Sequence, residues 1–67
     1  MKVRFFVRKN DVEVQFETLT EAKQHASRLA KEGGLVTINK RAWNDERRIC
    51  LNVTYRMNQF GELEGPF

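Results

Sequence analysis

Trp43 lies among Arg41, Arg47 and Arg48, and Phe6 stands between Arg4 and Arg8 on a run of alternating polarity. Large rings beside guanidinium groups are the composition of surfaces that bind proteins, where Trp and Arg supply most of the energy, or that stack nucleic-acid bases. It is not the composition of a catalytic centre. His25 is the only histidine, with no cysteine or carboxylate at a ligand spacing, so a structural place at the border of a helix face is expected rather than metal binding or acid–base work. Cys50 has no local histidine to activate it and reads as a small apolar filler. Glu13 and Glu17 are close enough to approach each other, but Arg8 and Arg4 account for both as cross-strand partners. Gly33-Gly34 is a helix terminator, not a phosphate cradle. The expectation is therefore a non-enzyme with no cofactor and no metal.

Two sets of binding residues follow. A protein-partner site would use Trp43, Arg41, Arg47, Arg48 and Phe6, the tryptophan supplying buried area and the arginines orientation. A nucleic-acid site would use Lys2, Arg41, Arg48, Arg56 and Phe6 on the outer face of a sheet. The plain alternatives are a solvated face whose ion pairs contribute little, and an indole folded back over the end of the core.

The chain has 67 residues, 40% apolar and 31% charged, which bounds it to one small globular domain with a thin core. The net charge of +3 is unevenly spread: residues 35 to 56 hold five cations against two anions, the tail from Met57 none against two. That electropositive stretch suits an acidic protein surface or a phosphate backbone. One cysteine forms no internal bridge, charges interrupt the apolar residues of Met1 to Arg8, and no membrane span exists, so a cytoplasmic location is expected.

The elements that must position these residues are legible as patterns. Asn10-Asp11 and Asn44-Asp45 each separate two alternating segments, and each reads as a two-residue reversal between antiparallel strands. In the first hairpin that loop pairs Val7 with Val14, Phe5 with Phe16, Arg8 with Glu13 and Arg4 with Glu17, leaving Phe6 as a ring on the charged face. In the second it pairs Ile38 with Leu51, Val36 with Val53 and, unfavourably, Arg41 with Arg48. Between the hairpins, Thr18-Leu19-Thr20-Glu21 is a capping box opening a helix whose inner face carries Leu19, Ala22, Ala26, Leu29 and Ala30. From Met57 the periodicity dissolves, and residues 58–67 read as a mobile tail, a short docking peptide or a segment folded along a sheet edge.

The predicted fold is α+β, a ββαββ domain over residues 1–57 with one helix on a four-stranded, mainly antiparallel sheet made of two hairpins; one-sided alternation favours the fully antiparallel order 2-1-3-4, the alternative being the second hairpin docked beside the second strand with a parallel central pair. Phe5, Val14, Ile38 and Leu51 should share its interior with Leu29. The run Val14 to Ala22, with Ala26 and Gly33-Gly34 after it, resembles the strand-to-helix junction of small phage-encoded α+β host-takeover proteins, including the T7-type inhibitors of bacterial RNA polymerase. The resemblance covers roughly residues 12 to 38 and implies action by binding a larger host protein, as a phage or mobile-element regulator. It carries over no site residue, and the positive charge here departs from the acidic strips of such inhibitors. A homodimer through unprotected strand edges is a further expectation.

Overall fold

The computed structural model describes residues 2–46 and 48–66, and of Cys50 the backbone alone. Strands β1 (Lys2–Lys9) and β2 (Val12–Phe16) form the first hairpin, helix α1 (Leu19–Lys31) follows, and β3 (Val36–Trp43), β4 (Ile49–Met57) and β5 (Leu63–Glu64) complete one sheet. Every neighbouring pair is antiparallel, in the order β2-β1-β3-β4-β5. The expected order of the first four strands holds, but among the described residues the sheet has five strands, not four. The fifth lies in the segment read as a tail: Leu63 pairs with Met57 and Glu64 with Arg56.

The first hairpin takes the expected register, with Phe5 opposite Phe16, Val7 opposite Val14 and Arg8 opposite Glu13. Asn10 carries the reversal at φ 56°, a conformation that asparagine tolerates better than a branched residue does. Thr18 caps α1: its hydroxyl oxygen accepts from the Glu21 amide at 3.3 Å, while the hydroxyl donates to the Glu21 carboxylate at 2.8 Å. At the other end Gly33 turns the chain away at φ 89°. There the Lys9 ammonium donates to the Leu29 carbonyl at 3.2 Å and meets Glu32 at 3.4 Å, so a lysine on the inward side of β1 ends as a helix cap.

The core is the seam where Ala22, Ala26 and Ala30 lie on Val7, Val36, Ile38 and Met57, with Phe5, Phe16, Leu29 and Leu63 packed around it. Small residues on the helix let it approach the sheet closely enough to close the branched side chains off completely. Ile38 and Val7 are at most 1% exposed, each worth roughly 1.5–3 kcal/mol of apolar transfer. Leu19, expected inward, is 40% exposed at the start of the helix.

The second hairpin departs from its expected register. Val36 faces Met57 rather than Val53, and Ile38 faces Tyr55 rather than Leu51, each partner four residues further along β4. The cause is the turn. Asn44 does not occupy a two-residue loop; its side-chain oxygen accepts from the Glu46 and Arg48 amides, both at 3.0 Å, and its own amide donates to the Arg48 carbonyl, so the loop closes over Asn44 to Arg48. Asn58 builds the same loop into β5, accepting from Phe60 and Glu62 at 2.9 Å each while its amide donates to the Glu62 carbonyl. From Leu51 to Met57 the offset is even and the β4 side chains keep their expected faces, but the register shifts between Ala42 and Trp43, so Ile49 stands opposite Trp43 on the outer face rather than inward. Leu51 nevertheless leaves the core: it stands opposite Ala42, and at 37% exposure it does not share the interior with Phe5, Ile38 and Leu29.

Candidate interaction site on the outer sheet face

The helix covers one face of the sheet, and the other is built from alternate residues of the strands. Phe6 lies near its centre on β1, between Gln15 of β2 and Asn39 of β3. The register places Arg41 opposite Arg4 and Trp43 opposite Lys2. Arg41 and Trp43 then converge on the same ring. The Arg41 guanidinium carbon sits 4.0 Å from the centroid of Phe6, and the Trp43 ring stands edge-on to Phe6, centroids 6.2 Å apart at 72°.

Arg41 is held on three sides. Beneath it is the phenyl ring; its Nε donates to the Asn39 side-chain oxygen, and its Nη2 meets Glu13 at 3.3 Å. Asn39 continues the network, its Nδ2 reaching Asn52 Oδ1 at 2.6 Å and Thr54 Oγ1 at 2.9 Å. A polar belt thus crosses from β4 through β3 to β2, passing over the aromatic ring of β1. Glu13 was expected to pair with Arg8 opposite it, but its carboxylate reaches across β1 to Arg41, while Arg8 Nε donates to the Asn10 carbonyl at 3.3 Å. A carboxylate fixed by an arginine that is itself stacked gains more than one facing a freely rotating side chain. On one flank of the cluster, Lys2, Arg4, Gln15, Glu17, Trp43 and Asn44 line a shallow depression.

Of the protein-partner set, Phe6, Arg41 and Trp43 come together, and the indole is not folded over the end of the core. Arg48 sits at the rim in the β3–β4 loop, 81% exposed and 3.8 Å from Glu46. It does not oppose Arg41, whose partner across β4 is Asn52. Arg47 lies outside the described residues, as does the side chain of Cys50. Of the nucleic-acid set, Lys2 borders Trp43, whereas Arg56 is four residues along β4 from Asn52, about 13 Å away at strand rise, and meets Glu64 at 3.0 Å. That guanidinium, by hydrogen bond and by charge, holds the Glu64 carboxyl below its ordinary value, and Asn58 adds to the effect. Reasoning from the sequence missed Asn39, Asn52 and Thr54 as positioning residues; their signal was their shared outward parity.

His25 packs against Phe16, ring centroids 5.2 Å apart. Among the described residues no three of His, Cys, Asp and Glu are grouped to hold a metal ion, and no helix is long and apolar enough to cross a membrane. Comparison of the chain with family models, with curated proteins and with solved structures finds no match, so what this face does is read from its own residues.

Proposed function

We propose that the chain is a small non-catalytic binding protein, a phage or mobile-element regulator in style, that engages a larger host protein through the Phe6, Arg41 and Trp43 cluster. The observation that carries this reading is a solvent-facing arginine already seated on a ring and tied to Glu13 and Asn39. A side chain ordered before contact loses little entropy on binding, and Trp and Arg anchors are the residues that dominate interface energies. The nucleic-acid reading is less well served. Arg41, Arg48 and Arg56 each face a carboxylate within 4 Å, so phosphate contact would have to displace Glu13, Glu46 or Glu64.

The test is a pull-down from bacterial lysate with the wild type, Trp43→Ala and Phe60→Ala, the last removing a 76% exposed ring away from the cluster. A stoichiometric partner retained by Phe60→Ala and weakened at least about tenfold by Trp43→Ala is the expected result. Identical lanes for all three remove the cluster as the site. Duplex binding with a log–log salt slope of roughly −3 to −4 would replace the reading with the nucleic-acid one.

A further inference from the structure

The sheet ends in two unlike margins. One is β2, a short strand carrying Glu13. The other is β4, and β5 covers it only at Arg56 and Met57. From Ile49 to Tyr55 the margin of β4 has no neighbouring strand among the described residues. The Asn58 amide donates across to Glu62 on the β5 side, so by alternation the main-chain groups of Thr54 and Asn52 also point out of the sheet at this margin.

Open strand edges are normally guarded by charge, proline or shortness. This one is Ile-Cys-Leu-Asn-Val-Thr-Tyr, without a charge, a proline or a glycine, and every residue but asparagine favours or tolerates a strand. Leu51 and Ile49 are 37% and 55% exposed along it. By contrast, β1, β2, β3 and β5 all carry charged residues.

We propose that two copies of the chain associate about a two-fold axis by pairing this edge with itself, antiparallel, to make one continuous sheet. The occupant is a second copy because a two-fold axis sets each segment against its own sequence, and an uncharged segment is one that meets itself without like-charge repulsion. With Asn52 facing its own copy on the axis, Leu51 and Val53, both on the helix side opposite Ala42 and Lys40, face one another and form the centre of one apolar seam, while Ile49 lies past the register shift, opposite Trp43 on the outer face, and takes no part in it. A slip of one residue would set apolar side chains against polar ones, and a slip toward Met57 is blocked by β5. The pairing runs along an edge, so it leaves the Phe6, Arg41 and Trp43 face open on both copies and stands independently of the function proposed above. A ribbon of this length is smaller than the roughly 1,200 Å² of stable interfaces, which sets the expected affinity in the micromolar range.

Sedimentation velocity between about 5 and 500 µM tests it, with a weight-average mass expected to rise from one chain to two. Asn52→Lys sets two ammonium groups against each other on the axis, and Asn52→Asp two carboxylates; each alone is expected to weaken the dimer at least tenfold. Mixing the two variants brings opposite charges together and restores it, a result that damage to the fold cannot give. In the wild type, exchange of the Asn52 and Thr54 amides slows as concentration rises. A wild type that stays monomeric throughout, a dimer indifferent to either substitution, or a mixture that fails to re-form it overturns the proposal.

Discussion

The stacking of Arg41 on Phe6 has a coupling energy that a double-mutant cycle measures directly. Phe6→Leu keeps an apolar side chain but removes the ring's negative face, and Arg41→Met keeps the stem but removes the charge. Cation–π contacts range from about 0.5–1 kcal/mol at exposed sites to about 2 kcal/mol when desolvated. With the Arg41 side chain 29% exposed and the contact at 4.0 Å, an intermediate value near 1 kcal/mol is expected. Arg41→Met alone costs more than the coupling, because it also strips Glu13 and Asn39 of a donor, but those losses appear in both arms of the cycle that lack Arg41 and cancel.

Urea unfolding of the four proteins, followed by far-ultraviolet circular dichroism, gives the four free energies. For a small domain with a slope near 1 kcal/mol/M, a 1 kcal/mol effect moves the midpoint by about 1 M, and the thermal midpoint by about 4–8 °C. Repeating the cycle in about 1 M salt separates the causes, since screening weakens the Glu13 pair while the ring contact persists. A coupling within about 0.3 kcal/mol of zero would refute the claim that the ring holds the guanidinium in place.

Asn44→Ala and Asn58→Ala each remove the acceptor of two loop amides; water reaches both loops, so each change costs about 1 kcal/mol by denaturation, and Asn58→Ala also speeds amide exchange at Leu63 and Glu64. Ala26→Leu, at a position with no exposure, pushes α1 off the sheet at a cost of about 1–3 kcal/mol, whereas Lys23→Leu on the exposed side changes stability by less than about 0.5 kcal/mol. Since Glu64 titrates below its ordinary value of 4.5 when folded, its contribution is complete above that value and is lost as pH falls through the lower folded one; Glu64→Gln removes this acid sensitivity of the Leu63 and Glu64 amide shifts, and an unchanged titration in the variant would show that Arg56 does not stabilise the carboxylate.

The two Asn-Asp pairs show how far the sequence could be read. Both read as reversals that use asparagine's tolerance of positive φ, and Asn10 does use it. Asn44 instead uses its side-chain oxygen as an acceptor, which lengthens the loop and moves β4 by four residues. A dipeptide does not announce which of these two properties will be spent. Alternation along β1 and β3 made Arg41, Phe6 and Trp43 recognisable as outward, but their neighbours were not: Arg41 faces Asn52 on β4, not Arg48, the shift between Ala42 and Trp43 turns Ile49 outward, and Leu51 lies beyond the core. Strand β5 was hidden for the same reason, since it is specified by Asn58 and by contact with Met57 and Arg56 rather than by any periodicity of its own.

The described residues hold one helix, and one helix covers one face. The other face must be held by contacts between side chains of different strands, and here these are the stacked arginine, the Asn39 network, the Arg4–Glu17 pair and the Arg41–Glu13 pair that bridges across β1. Stability and recognition therefore draw on the same residues, and loss of binding in an Arg41 variant would be ambiguous, because Arg41 touches Phe6, Asn39 and Glu13 at once. Trp43 is different. Its ring contact is a single edge-on approach to Phe6 at the end of β3, next to a loop closed by Asn44 rather than by the indole. Truncating it removes apolar surface available to a partner while leaving the polar belt intact, so a binding loss in Trp43→Ala with an unchanged Arg41–Phe6 coupling separates the interface from the scaffold that carries it.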